Sequence, residues 1–171
     1  MNQILELLLF LIPTYIANSS PVVLGGGTAL DFGMILPDGE RAFGNGKTTR
    51  GFIGGVLAGT VAGGAVAYFY LLPFFSTPTI QFIAGFAMAF GTLTGDALGS
   101  FIKRRLKVDS GKPFVLDTIL FLIVALVFVL PFSNSQLYEP FTILFFLILT
   151  LILHPLTNFM ANKAGLKKVP W

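Results

Sequence analysis

Cysteine is absent from the chain, and histidine occurs once, at His154. These absences exclude a disulfide framework, a thiolate nucleophile and a cysteine-based metal site. They also leave no Ser-His-Asp order on which acyl transfer could be argued. The ligands that remain are hard oxygen atoms, which suit Mg²⁺ better than zinc or copper.

Charge is also scarce. Charged residues make up 11% of the chain, against 54% hydrophobic residues, and the mean hydropathy is +0.82. These values exclude an ordinary soluble domain, while a length of 171 residues favours one domain over 1–171. The chain starts MNQILELLL, without a basic segment, so we expect no cleaved signal peptide.

Long apolar runs predict an all-α polytopic membrane protein, because about 20 apolar residues cross the hydrocarbon core and helices satisfy their own backbone. All 11 Lys and Arg residues fall on the side reached after the first, third and fifth helices. The positive-inside rule therefore predicts an external N-terminus, a cytoplasmic C-terminus and cytoplasmic loops over about 24–50 and 105–115. This placement also argues against a nucleic-acid partner, although topology alone would account for the cations. The five expected helices cover about 3–23, 51–72, 79–104, 116–132 and 137–158.

Small residues recur at every fourth position in the second and third helices, which lets helix backbones approach closely in lipid. We expect these two stripes to bring the cytoplasmic ends of the two helices together. Lys47 and Arg50 would then face Asp96. The stripes are Gly51, Gly55, Gly59 and Gly63 in the second helix, and Ala87, Gly91, Gly95 and Gly99 in the third.

Eight of the nineteen charged residues lie between Gly91 and Asp117. A carboxylate inside an apolar span is costly and usually has a functional partner. Helical spacing places four polar residues of this stretch on one face of the third helix, which predicts a groove entering the bilayer from the cytoplasm. Asp117 could instead cap a helix, and Asp109 could sit in an ordinary turn. The face consists of Asp96, Ser100, Lys103 and Arg104.

The segment Gly44–Gly51 has the composition of an anion site, with flexible backbone, a lysine, two hydroxyls and an arginine before the second helix. It is not a Walker A motif, because Arg41 stands where that motif requires glycine. A simple helix cap by Thr48 or Thr49 is the alternative. Ser20–Asp38, with three consecutive glycines, suggests a re-entrant or interfacial segment that lines a cavity.

Three motifs together resemble those of the CTP-dependent phosphatidate cytidylyltransferases. They are Gly-Lys-Thr-x-x-Gly-x-x-Gly-Gly from Gly46, Gly-Asp-x-x-x-Ser-x-x-Lys-Arg from Gly95, and Asp-Ser-Gly from Asp109. Nearly the full length is more similar to the shorter archaeal branch, the CDP-archaeol synthases. The bacterial Pro-Gly-His-Gly-Gly stretch is missing, and the terminal Asp-Arg-x-x-Asp is reduced to Asp117.

The resemblance implies transfer of CMP from CTP to unsaturated archaetidic acid, an isoprenoid ether lipid phosphate, within the lipid bilayer. It implies Mg²⁺ on acidic ligands, which map onto Asp96 and Asp117, with Asp109 third. The phosphates would be held by Lys47, Arg50, Lys103 and Arg104. Further nucleotide-binding candidates are Asn18, Gly25, Gly26, Gly27, Gly46, Thr48, Ser100 and Asp109.

Other classes fit the sequence less well. A transporter or channel with a cationic vestibule would need polar residues on both sides, and no inverted repeat is evident. A CDP-alcohol phosphotransferase would need a downstream glycine and two aspartates spaced by three residues after its Asp-Gly pair, and Asp38-Gly39 has no such followers. A non-catalytic protein that binds anionic lipid remains an alternative.

Overall fold

The computed structural model describes residues 3–108, 112–167 and 169–170. Five α-helices in this part of the chain are long and apolar enough to cross a membrane. The predicted all-α membrane fold is thereby confirmed. The helices are α1 (Gln3–Leu24), α2 (Thr49–Phe69), α3 (Pro78–Arg105), α4 (Val115–Val129) and α5 (Pro140–Lys163), with 3₁₀ turns at Leu130–Phe132 and Ser135–Tyr138.

Several helix boundaries differ from the expected ones. α2 ends at Phe69 rather than near residue 72, because the buried Gln81 side chain holds the following backbone in an extended form. Its amide accepts from Leu72 N–H at 2.8 Å and donates to the Tyr70 carbonyl at 3.0 Å. α5 begins at Pro140 rather than near residue 137, since the preceding residues form a 3₁₀ turn and proline favours a first helical turn.

α5 also continues to Lys163, five residues past the expected end. Gly165 follows with a φ of +74° and closes the helix with a left-handed cap. Pro155 lies inside the helix without ending it. The glycine after the last turn, rather than the proline, is therefore the stop signal in this helix.

The glycine stripes pack, but not as one pair. A Cβ on Gly59 of α2 would come within 2.7 Å of both Ala89 of α3 and the Pro13 carbonyl of α1. A Cβ on Gly95 of α3 would come within 2.7 Å of the backbone of α4 at Leu120. The α2 stripe therefore packs against α1 and α3, whereas the α3 stripe packs against α4. This corrects the expectation that the two stripes meet each other. In lipid, such close van der Waals packing is what holds helices together.

The two ends of the bundle differ in character. At one end Phe10 stacks between Phe75 and Phe146 and meets Phe74 edge to face, so this end is an aromatic core. At the other end lie the α1–α2 loop, the α3–α4 connection and the residues after α5. We call this the cationic end, because every described Lys and Arg lies in these segments or in the adjoining turns of α2, α3 and α5.

Candidate active site

The start of α2 carries the anion-site segment and is locally well defined. Thr48 is the N-cap residue, and its Oγ1 accepts from Gly51 N–H at 3.1 Å. The Lys47 carbonyl accepts from Leu30 N–H at 2.7 Å, and Ala29 and Thr48 form an isolated β-bridge. The helix cap that was the alternative for this segment is thus present at Thr48, and it does not involve the Lys47 side chain.

Lys47 reaches across to α3. Its Nζ donates to Asp96 Oδ2 at 2.5 Å, and the two side chains are 27% and 21% exposed. The sequence prediction that Lys47 faces Asp96 is confirmed. Because both groups retain access to water, the pair is a modest interaction that can be exchanged for another partner.

A second ion pair joins α3 to α4. The Lys103 side chain is 9% exposed, and its Nζ donates to Asp117 Oδ2 at 2.8 Å. It also donates to the Lys112 carbonyl. Asp117 lies in the first turn of α4, whose N-cap residue Phe114 makes no side-chain capping bond. The Asp117 carboxylate therefore binds Lys103, and the alternative that Asp117 caps α4 is not supported.

Asp31 organises the loop between α1 and α2, a role that no sequence motif predicted. The residue is 5% exposed, and it accepts from the Arg41 guanidinium and from the N–H groups of Gly33, Phe43 and Gly44. Burial alone would raise the pKa of Asp31, but Arg41 and the three N–H groups together lower it. The available signal was an acid inside an apolar stretch, with Arg41 ten residues later.

The folded loop is fastened to the end of α3. Arg105 donates to Asp38 Oδ1 at 2.7 Å and to the Arg41 carbonyl at 2.6 Å. A Cβ on Gly44 would lie 3.9 Å from Arg104 Cδ, so the Arg104 stem runs along the loop. The Arg104 Nε is buried without a hydrogen-bond partner among the described residues. Loop and helix thus form one wall of the site.

A cleft lies between the loop, α1, α2 and α3. Polar groups line it at Gly46, Lys47, Thr48 and Asp96, and apolar groups line it at positions such as Leu93. Four of the residues singled out from sequence therefore share one cleft. The remaining lining residues are Pro21, Leu30, Gly51, Phe52 and Ala97.

Other candidates lie outside that lining. Asn18 is half-buried on α1, and Ser100 is half-buried one turn beyond Asp96. Arg50 is exposed in the first turn of α2. Asp109 lies outside the described residues.

The three consecutive glycines 25–27 have two structural roles, packing and bending of the chain. A Cβ on Gly51 would come within 3.4 Å of Gly25 Cα, so Gly25 packs against the start of α2. Gly26 and Gly27 have φ values of +97° and +78° with open space around them. They form the left-handed bend by which the chain leaves α1, a conformation that glycine adopts readily.

The carboxylates of Asp96 and Asp117 suit a hard divalent cation. No group of three His, Asp or Glu side chains that could hold a metal ion occurs among the described residues. Mg²⁺, however, is commonly bound by one or two carboxylates together with substrate phosphates and water. Asp117 Oδ1 lies 3.6 Å from the position of a Cβ on Gly99, so only a glycine separates it from the α3 backbone. The donor set therefore fits Mg²⁺ completed by a phosphate ligand.

Comparison with known proteins identifies the family of the chain. A family model described as CarS-like CDP-archaeol synthase matches residues 1–171. The CDP-archaeol synthase of Pyrococcus horikoshii is 48% identical over 172 residues, covering 100% of this chain and 99% of the relative. The CDP-archaeol synthase of Archaeoglobus fulgidus is 38% identical over 188 residues, covering 100% of this chain and 99% of the relative.

A solved structure is similar as well. It is described as an intramembrane enzyme for archaeal membrane lipids biosynthesis, with a TM-score of 0.79 and 35% identity. The similarity covers 91% of this chain and 94% of the solved one. The chain therefore belongs to the CDP-archaeol synthase family, the membrane-embedded cytidylyltransferases of archaeal lipid synthesis.

Proposed function

We propose that this chain transfers CMP from CTP to unsaturated archaetidic acid, 2,3-bis-O-geranylgeranyl-sn-glycerol 1-phosphate. The products are CDP-unsaturated archaeol and pyrophosphate. One observation carries the proposal: two Lys–Asp pairs, Lys47–Asp96 and Lys103–Asp117, each with one member on α3, lie at the cationic end of an otherwise apolar bundle. Such a site offers both ligands for a divalent cation and counter-charges for phosphates.

The reaction is a displacement at the α-phosphorus of CTP. A lipid phosphate oxygen forms the new bond to this phosphorus, and the bond to the bridging oxygen of the β-phosphate breaks. A phosphate monoester has its second pKa near ~6, so the nucleophile is largely ionised at neutral pH. No general base is then required, which agrees with a site whose described polar groups are carboxylates, cations and hydroxyls.

Catalysis then depends on positioning and on neutralising charge. Mg²⁺ held by Asp96 and Asp117 would supply Lewis-acid neutralisation of the triphosphate oxygens. Lys47 and Lys103, released from the two carboxylates, pair with substrate phosphates. The moderate exposure of the Lys47–Asp96 pair makes this exchange inexpensive.

The remaining site residues receive roles consistent with their positions. Arg104, whose Nε has no partner in the described structure, and Arg50 add charge for the phosphates. The backbone at Gly46 and the cap at Thr48 offer donors at the α2 N-terminus, where anions are favoured. The cytosine and ribose are assigned to Asn18 and to the three glycines 25–27. Ser100 and Asp109 complete the proposed set.

We also assign the cationic end to the cytoplasm, in line with the positive-inside rule. CTP would then enter the cleft from the cytoplasm, and the lipid phosphate would arrive from the bilayer. This arrangement puts a water-soluble and a membrane-bound substrate on one site without either crossing the membrane.

The test is pyrophosphate release by the detergent-solubilised protein with CTP, Mg²⁺ and the geranylgeranyl ether lipid phosphate. We expect release that requires all three components and favours the unsaturated lipid over its saturated counterpart. Release with no lipid phosphate of any kind added would indicate a different reaction. No release with any lipid phosphate would favour a transporter or a lipid-binding protein and would overturn the proposal.

A further inference from the structure

The residues after α5 turn back towards the bundle. Gly165 adopts a φ of +74°, which allows a Schellman turn. The N–H groups of Gly165 and Leu166 donate to the carbonyls of Asn162 and Ala161, each at 2.9 Å. This turn directs the next residue, Lys167, along the side of α5.

Both the backbone carbonyl and the side-chain ammonium of Lys167 are hydrogen-bonded to α5. Its carbonyl accepts from the Asn162 side chain at 2.9 Å, and its Nζ donates to Asn158 Oδ1 at 2.9 Å. Asn158 is in turn hydrogen-bonded to His154 Nε2 at 2.9 Å. The ammonium is therefore held in one place by a chain of polar groups along α5.

These polar groups lie at the same height along the helix bundle as the candidate active site. The His154 ring lies 5.2 Å from the ring of Phe121 on α4, measured between centroids. Consecutive helices α4 and α5 run in opposite directions, so one turn towards the cationic end leads from these rings to Asp117 on α4 and to Asn158 on α5. The Lys167 ammonium, bound to Asn158, lies at the level of Asp117.

The charges of the site act on Lys167 from this position. Burial lowers the pKa of Lys167, and the positive charge of Lys47 lowers it further, whereas Asp96 and Asp117 raise it. Lys103 also lowers it. Three ammonium groups thus act together with two carboxylates. The excess of positive charge favours an anionic ligand at this place.

We propose that Lys167 is a further phosphate-binding residue of this site, positioned by Asn158. This inference rests on the proposed function. The ligand is a phosphate group, which could belong to CTP or to the lipid phosphate, and the experiment distinguishes the two. No motif in the sequence marks this residue, since it follows the last helix among other lysines.

The kinetic test compares Lys167→Gln with Lys167→Arg and with the matched control Lys163→Gln. Lys163 carries the same charge in the last turn of α5 but is exposed and lies over the Phe159 ring. Loss of a charged hydrogen bond should raise one KM about tenfold or more in Lys167→Gln. Lys163→Gln should stay within about twofold of the wild type, and Lys167→Arg should recover most of the loss.

The substrate whose KM rises identifies the phosphate. A higher KM for CTP assigns Lys167 to the triphosphate, and a higher KM for the ether lipid assigns it to the lipid phosphate. Unchanged KM values for both substrates in an active, folded Lys167→Gln protein would overturn the inference while leaving the proposed function intact. Thermal melting of each variant in detergent checks that it is folded.

Asn158→Ala tests the positioning. If Asn158 acts through Lys167, this variant should reproduce part of the KM increase, and Lys167→Gln combined with Asn158→Ala should be no worse than Lys167→Gln alone. Additive KM losses would contradict the positioning role, since non-additivity is the mark of residues that act as a unit.

A binding measurement keeps the inference decidable if the wild-type protein shows no turnover. Calorimetry would use two probes, inorganic pyrophosphate and sn-glycerol 1-phosphate, with wild-type, Lys167→Gln and Lys163→Gln proteins. Weaker binding of either probe to Lys167→Gln alone would support a phosphate site at Lys167. Equal binding of both probes to all three proteins would overturn it.

Discussion

Lys47, on the loop before α2, donates a 2.5 Å hydrogen bond to Asp96, in the membrane-spanning helix α3. This contact joins the two sequence segments that carry the polar chemistry, which are 49 residues apart. It also shows how a carboxylate is accommodated in a glycine-rich helix, because the ammonium supplies its counter-charge.

Replacing Asp96 by asparagine should abolish turnover while leaving the protein folded. The change is isosteric and removes the charge needed to hold a divalent cation, so we expect kcat to fall by about 100- to 1000-fold or more. The Lys47–Asp96 pair is partly exposed, so stability should change by less than about 1 kcal/mol. Pyrophosphate release and thermal melting check the two parts. Mg²⁺-dependent activity at the wild-type level in this variant would refute the role of Asp96.

Chelation should stop the reaction, and added Mg²⁺ should restore it. In Asp117→Asn, one of two proposed carboxylate ligands is lost, so the Mg²⁺ concentration for half-maximal rate should rise about tenfold or more. Glu139→Gln is the matched control, because Glu139 is exposed at the opposite end of the bundle. An unaltered Mg²⁺ requirement in Asp117→Asn would remove Asp117 from the ligand set.

Asp31→Asn should loosen the loop that carries Gly44. Asp31 is buried, and the variant would weaken its hydrogen bonds from Arg41 and three backbone N–H groups, at a cost of about 2 kcal/mol. Thermal unfolding measures this cost, and the KM for CTP should rise with it. An unchanged melting temperature would show that the Asp31 contacts do not hold the loop.

The same carboxylate predicts an acid-dependent loss of stability. The pKa of Asp31 is lower in the folded than in the unfolded protein, so its contribution is fully present above the unfolded pKa of about 3.9. It is lost as the pH falls from there towards the folded pKa. Unfolding of the wild type below about pH 4 should therefore steepen relative to Asp31→Asn. Parallel curves for the two proteins would contradict this.

Gly95→Ala should separate α3 from α4. The added Cβ would come within 2.7 Å of the Leu120 carbonyl and of Phe121 Cα, which are backbone atoms that cannot rotate away. We expect a loss of about 1–3 kcal/mol, together with reduced activity, because Lys103 and Asp117 meet across this contact. Gly99→Ala is the control for packing, since its Cβ would meet no atom closer than 3.6 Å. Equal melting temperatures for the two variants would contradict this account of the interface.

Sequence patterns predicted the five helices, because hydropathy and helical spacing are local properties. The prediction that Lys47 faces Asp96 came from the expected packing of α2 beside α3. Sequence patterns did not predict which helix each glycine stripe meets. A stripe shows that some backbone comes close, but the partner depends on the path of the whole chain. The sequence signal at Asp31 was equally incomplete, since its hydrogen bonds come from backbone groups of a loop whose shape spacing does not encode.

The helix ends show the same limit. The stop of α2 at Phe69 depends on Gln81 of the next helix, so no local signal marks it. The stop of α5, in contrast, is marked locally by Gly165. Lys167 acquires its place through that turn, and its position relative to Asp117 depends on how α4 and α5 pack.

The most direct measurement follows the phosphates of CTP. The protein would be supplied with the geranylgeranyl ether lipid phosphate, Mg²⁺ and CTP labelled with ³²P at either the α- or the γ-position. We predict that the α-label enters the lipid fraction as a CDP-lipid and that the γ-label leaves as pyrophosphate. Transfer of the γ-label to lipid, or no labelled lipid from α-labelled CTP, would contradict it.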